Sequence, residues 1–307
     1  MMRGFVRVIF CLVFSTLIWS CSSSDNFSSK DSKLNSNLET AAVIYNEDGR
    51  KDYFEVSDGS LIELARSTAV FIENEHLQAD HQADCYHLKH EPAKLPMCPG
   101  EKYISQPQWG FCSGSLVAPD VILTAGHCVA NVNECAMTKI VFDYQVHDKD
   151  EQFKKFKSEQ VFSCKEIIYR TEQAQGADFA LIRLDRPALN RTALKFADSA
   201  IVFKDQLLII GYPLGLPLKF AFDGKVRSAL NDKFFVGEVD TFTGNSGSPV
   251  FNQQTLELVG VLSRGEKDFV HKNSCLVTKV CKGESCRGED ITRISEVQKI
   301  SAFKQLW

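Results

Sequence analysis

The sequence carries no excess of positive charge. Its 35 Lys and Arg stand against 39 Asp and Glu, a formal net charge of −4. Mild acidity of this kind gives no support for nucleic-acid binding, which needs a concentrated basic surface. No internal repeat and no calcium-loop pattern are evident. Long apolar runs are scarce: residues 8–19 form an almost unbroken one behind Arg3 and Arg7. That run is too short to cross a bilayer comfortably as a permanent helix, and with its basic start it reads as a secretory signal over residues 1–20. Losing Arg3 and Arg7 takes the formal charge from −4 to −6. The rest exceeds one average domain, although the length prior is loose for β-rich chains.

The apolar run ends in Ile18-Trp19-Ser20-Cys21, followed by Ser22-Ser23-Ser24. This looks like a bacterial lipobox, with Cys21 as the lipid-modified first residue of the mature chain. Several acyl chains on one cysteine anchor stably where a single chain does not. Residues 21–42 then read as a tether or pro-segment, rich in Ser and Asn at its start.

Eleven cysteines fit an exported protein whose thiols are oxidised. Cys11 leaves with the signal and Cys21 takes the lipid. The nine that remain are an odd number, so at least one is free or pairs between chains. Cys85–Cys98 and Cys135–Cys164 are plausible by proximity, and the trio Cys275, Cys281 and Cys286 is expected to hold one bridge.

The patterning is all-β. Short runs rich in Val, Ile, Phe and Leu recur at 68–72, 111–117, 121–124, 139–142, 180–184, 207–212, 234–239, 249–251 and 256–263, with turn residues between them. Such spacing suits barrels or a sandwich and does not separate the two. At the end, Val297, Ile300, Phe303 and Leu306 recur every three residues, which predicts one closing amphipathic helix over 296–306.

Three short segments carry the chemistry. They are Leu123-Thr124-Ala125-Gly126-His127-Cys128, Ala177-Asp178-Phe179-Ala180-Leu181-Ile182 and Thr243-Gly244-Asn245-Ser246-Gly247-Ser248-Pro249. Each lies where an apolar strand meets a turn. A serine hydroxyl is a weak nucleophile at neutral pH and needs a base within hydrogen-bond reach. The base in turn needs a carboxylate on its other nitrogen to hold the right tautomer. His127, Asp178 and Ser246 supply the three roles. The bland readings are a buried histidine, an aspartate at a turn and a tight Gly/Asn/Ser turn.

The order His, Asp, Ser and these motifs resemble the chymotrypsin-like serine proteases, and more narrowly the bacterial branch of V8-like and glutamyl endopeptidase-like enzymes. The resemblance implies two Greek-key six-stranded β-barrels with the active site in the cleft between them and a C-terminal helix. Residues 43–190 would hold an N-terminal arm and the first barrel, and 191–307 the second barrel and helix. It implies a Cys112–Cys128 bridge strapping the histidine loop, which at that loop length stabilises by roughly 3 kcal/mol. It places oxyanion donors on the backbone N–H groups of Gly244 and Ser246. The segment starting Val43-Ile44-Tyr45 resembles the start of the mature enzyme in the V8-like branch. Asn245 departs from the digestive branch, where an aspartate pairs with a new N-terminal amine; an amide makes no such ion pair, so that activation switch is not expected.

Substrate contacts follow from the same resemblance. Ser263 aligns with the serine that supports the acid, and the residues through Gly265 would pair with extended substrate by strand addition. Arg264 stands where an aromatic is usual and reads as a solvated side chain. The pocket floor six residues before Ser246 is Asp240, with Thr241 beside it. A buried carboxylate there accepts Arg or Lys as a charge-assisted pair. Glutamyl-specific relatives use a histidine near Leu262, and none is present.

His76, His81, Cys85, His87, His90 and Cys98 fall in one polar insertion. Their spacing fits no standard zinc finger, so the insertion reads as a disulfide-stapled loop with no metal, and no cofactor is expected. The leading expectation is an exported, membrane-anchored serine endopeptidase acting on protein or peptide substrates and preferring Arg or Lys before the cut. The rivals are a Glu-specific endopeptidase and a non-catalytic binding or adhesion lipoprotein on a protease-like fold.

Overall fold

The computed structural model describes residues 43–301 except 46, 90, 93, 152, 154 and 284. Cys21, His90 and the end of the expected helix, with Phe303 and Leu306, lie outside the described residues.

Twelve strands form the body. The first six are β1 (Thr68–Glu73), β2 (Cys112–Ala118), β3 (Val121–Thr124), β4 (Thr138–Phe142), β5 (Val161–Glu172) and β6 (Asp178–Leu184). They close in the order β5-β6-β3-β2-β1-β4. The second six are β7 (Gln206–Gly211), β8 (Lys219–Ser228), β9 (Phe234–Glu238), β10 (Pro249–Asn252), β11 (Leu258–Arg264) and β12 (Glu289–Arg293). They run β7-β10-β11-β12-β9-β8, and β8 pairs back onto β7 to close the ring. Closure removes exposed sheet edges. The architecture is two closed six-stranded antiparallel barrels.

Each barrel has its own interior. Phe71, Leu116, Ile122, Ile140, Phe142 and Ile182 pack inside the first, and Leu207, Ile209, Phe235, Val250 and Ile291 inside the second. A third cluster joins the two, bringing Val121, Leu123, Phe179 and Leu181 against Tyr212, Phe220, Phe251 and Val261. The closing helix spans Ile294–Gln298, starting earlier than expected, and buries Ile294 and Val297 in that shared cluster.

The arm before the first barrel belongs to the second. Ile44–Tyr45 lies parallel to Val280–Cys281, and Lys51–Asp52 adds an edge strand to β8. Asp52 forms a buried ion pair with Lys219 at 2.7 Å. Burial outweighs that pairing and pushes the Lys219 amine down to about 8.

Among the described residues four disulfides are present: Cys98–Cys275, Cys112–Cys128, Cys135–Cys164 and Cys281–Cys286. The expected Cys85–Cys98 bridge is not among them. Cys98 reaches across to Cys275 because Met97 and Cys98 lie alongside Leu276, with Cys98 N donating to Leu276 O at 2.8 Å. Cys85 is the free thiol among the described residues, and it is buried.

Candidate active site

Strand β3 is wholly buried and delivers the chain into a short turn, Gly126–Val129, from which the His127 ring reaches partial exposure. Gly126 is required there. A Cβ at that position would stand 2.1 Å from Thr171 O and 3.0 Å from Asp178 Oδ1. Its absence lets the Asp178 carboxylate rise beneath the turn. Oδ1 accepts from Gly126 N at 2.7 Å and from His127 N at 3.2 Å, while Oδ2 lies 2.8 Å from His127 Nδ1. With the carboxylate as acceptor, the ring proton sits on Nδ1 and Nε2 is left to take one.

Asp178 opens β6 and is 2% exposed. Its main chain is pinned from the second barrel: its N–H donates to Thr292 Oγ1 at 3.1 Å, and its carbonyl accepts from Ser263 Oγ at 3.2 Å. Ser263 thus supports the acid through its backbone rather than its carboxylate. Thr292, 2.7 Å from Ser263 Oγ, completes the clamp and was not singled out from the sequence. Nothing short of the β11–β12 pairing reveals it.

Arg264 is not solvated. Its guanidinium lies 3.8 Å from Asp178 Oδ2 and 3.2 Å from Asp290 Oδ2. It also donates to Gln173 O at 2.9 Å and Gly176 O at 2.7 Å, holding the turn that leads into Asp178. The buried Asp290 on β12 supplies the countercharge that draws the side chain inward.

Ser246 sits between two glycines in left-handed backbone, Gly244 at φ +91° and Gly247 at φ +85°. A Cβ on Gly247 would stand 2.1 Å from Ser113 O and 2.3 Å from Thr124 Oγ1, so only glycine lets this turn lie against β2 and β3. Ser113 fixes it twice: its N–H donates to Ser246 O at 2.8 Å and its hydroxyl to Gly244 O at 2.8 Å. Cys128 Sγ, one residue past His127 and bridged to Cys112, is 3.6 Å from Ser246 O. The serine and histidine turns are therefore in contact. The N–H groups of Gly244 and Ser246 donate to no acceptor among the described residues. Asn245 is buried and neutrally satisfied, donating to Thr241 Oγ1 at 2.7 Å and accepting from Ser248 Oγ at 3.2 Å.

The expected pocket floor is differently engaged. The Asp240 carboxylate accepts from Tyr45 N at 2.7 Å and Gly49 N at 3.0 Å. Burial outweighs these bonds and pushes it up to about 6. Thr241 is buried and holds Asn245. Both residues thus anchor the arm and the serine turn. Gly265 is half-buried beyond the end of β11. A shallow pocket beside the arm, lined by Arg50, Leu214, Phe242 and Phe269 among others, includes none of Ser246, His127 or Asp178.

Two closed antiparallel barrels, packed so that serine and histidine turns touch across their junction, define the chymotrypsin fold of peptidases. Residues 112–261 match the model of the trypsin-like peptidase domain family. Over 86 residues it is 35% identical to chymotrypsin-like elastase family member 3B of Homo sapiens, and equally to member 3A. The aligned part is 28% of this chain and 32% of the human protein, so the chain spans about a third of the curated relatives it matches. Among solved structures, a Glu endopeptidase in complex with MPD is similar at a TM-score of 0.49 and 18% identity, covering 86% of this chain and 97% of that one. The VesB protease of Vibrio cholerae gives 0.47 and 13%, covering 81% and 65%.

Proposed function

We propose that the chain is a serine endopeptidase in which Ser246 is the nucleophile, His127 the base and Asp178 the orienting acid. The observation that carries this reading is the 2.8 Å contact of His127 Nδ1 with Asp178 Oδ2, on a turn packed against the one that holds Ser246. Ser246 Oγ attacks the scissile carbonyl carbon and its proton passes to His127 Nε2. The oxyanion accepts from the N–H groups of Gly244 and Ser246, each such donor being worth about 10² to 10³ in rate. The tetrahedral adduct collapses to an acyl-enzyme as the amine leaves with the proton from Nε2. Water, deprotonated by the same nitrogen, then releases the acid.

The finer reading, cleavage after Arg or Lys, rests on Asp240. It requires the incoming cation to share a carboxylate already held by Tyr45 and Gly49. Export through residues 1–20 and lipid attachment at Cys21 belong to the same proposal; the mass of the mature N-terminal peptide measures both.

The test is hydrolysis of a peptide panel differing only in the residue before the cut, with Ser246→Ala alongside, and labelling by a serine-directed phosphonate. Hydrolysis after Arg and Lys that disappears in Ser246→Ala supports both levels of the reading. Cleavage after Glu keeps the peptidase and removes Asp240 from specificity. Folded protein that neither labels nor cleaves is the binding lipoprotein instead.

A further inference from the structure

Three groups of metal-ligating side chains converge among the described residues. Cys112, His127 and Cys128 are disqualified because both sulfurs are in one disulfide. Glu73, Glu75 and His76 form an acidic group at a short turn, and nothing else there points to a ligand. The third is Asp80, Cys85 and His87, in the small sheet of Leu77–Asp80, Cys85–Leu88 and Lys155–Lys157 that flanks the first barrel.

The geometry points to a zinc-class metal site at Asp80, Cys85 and His87. The register pairs Asp80 opposite Cys85, and His87 follows two residues on, so it projects from the same face of its strand. His87 Nε2 lies 3.5 Å from Cys85 Sγ and 3.6 Å from Asp80 Oδ2. Zinc bonds of about 2.3 Å to sulfur, 2.0 Å to nitrogen and 2.1 Å to oxygen, at a tetrahedral angle, separate sulfur from nitrogen by about 3.5 Å and nitrogen from oxygen by about 3.4 Å. Both separations from His87 Nε2 match these values, and Cys85 Sγ lies within 4.8 Å of an Asp80 carboxylate oxygen. Asp80 Oδ1 is held apart by the N–H groups of Gln82 and Ala83, both at 3.0 Å. That leaves Oδ2 fixed and available, as supporting bonds do in metal centres.

The chemistry of the set agrees. Thiolate, imidazole and carboxylate together suit zinc among the common biological cations. Cys85 is the free cysteine among eight bridged ones in the described chain, so a thiol stands where a disulfide was expected. Its sulfur side is buried, while the His87 and Asp80 side chains are 48% and 40% exposed, which gives an entry path and room for water as fourth ligand. Binding releases the thiol proton to solvent and forms a metal–sulfur bond. The metal would tie the Asp80–Cys85 turn together as a structural staple. The inference is independent of the peptidase reading.

The test is titration of the full exported chain with Co²⁺ as an optical stand-in, followed by Zn²⁺ competition. One equivalent should give a sulfur-to-cobalt charge-transfer band that Zn²⁺ abolishes. Cys85→Ser should lose the band. His87→Gln, at an exposed position that should not disturb folding, should weaken binding by more than the roughly 10–100-fold that loss of a mere supporting partner costs. Zn²⁺ should also protect Cys85 from a thiol reagent. Absence of the band, or equal affinity in His87→Gln and the parent chain, overturns the site.

Discussion

Arg264 Nη1 lies 3.8 Å from Asp178 Oδ2, the oxygen that faces His127 Nδ1. The same guanidinium holds Gln173 O, Gly176 O and Asp290, so one side chain from the second barrel fixes both the turn before the acid and the field around it. Arg264→Ala removes several charge-assisted bonds and leaves Asp290 to the half-exposed Arg287. Stability should fall by about 1.5–3 kcal/mol, read as a lower urea midpoint. Peptide hydrolysis should fall with it, because Asp178 loses its seat.

Asp178→Asn should keep the fold and reduce kcat by about 10⁴, the cost of the wrong histidine tautomer. A loss near tenfold, measured on the best peptide of the panel, would remove Asp178 from the reaction.

The arm makes stability pH-dependent. The folded Asp240 carboxyl sits at about 6, above its ordinary 3.8. Folding is therefore favoured by the protonated form, a contribution fully present below the ordinary value and lost as pH rises through about 6. The loss amounts to about 3 kcal/mol. Burial pushes Asp268 and Glu289 up as well, so the decline continues beyond that range. Thermal midpoints measured from pH 4 to 8 should fall, and Asp240→Asn should flatten the part between 4 and 6.

Asn245→Asp should destabilise. The amide donates to Thr241 Oγ1 and is buried at 2% exposure with no cation bonded to it. A carboxylate there is an unpaired buried charge, costing at least about 1–3 kcal/mol at neutral pH. Part of that should return on acidification, which denaturation at two pH values would measure.

Much of the fold was legible because apolar runs and turns marked nine of the twelve barrel strands. The three strands missing from that reading are β5, β8 and β12, and each has a reason. Strand β5 is broken by two bulges that spoil its alternation. Strand β8 carries Lys219, a buried lysine whose amine is met by Asp52, Gln106 Oε1 and Pro217 O. Strand β12 reads Glu-Asp-Ile-Thr-Arg, and its buried acids look like a surface loop until Arg264 and Arg287 are seen on Asp290. His127 and Ser246 were readable because each sits in a short motif whose glycines are set by close contacts, and Asp178 because it opens an apolar strand. The hold of the arm on Asp240 was not legible, because its partners are backbone N–H groups nearly two hundred residues away, which leave no trace in local sequence.

The Cys98–Cys275 bridge spans 177 residues. Removing it as a Ser pair should lower stability by roughly 2–5 kcal/mol, more than a short-loop bridge such as Cys281–Cys286 would.

That bridge also decides what a nick would do. A cut at any single peptide bond between Cys98 and Cys275, including the connection between the barrels, leaves two fragments joined by sulfur. Such a molecule would migrate as one species until reduced. Self-cleavage in that stretch would therefore make a two-chain form rather than shed half of the site.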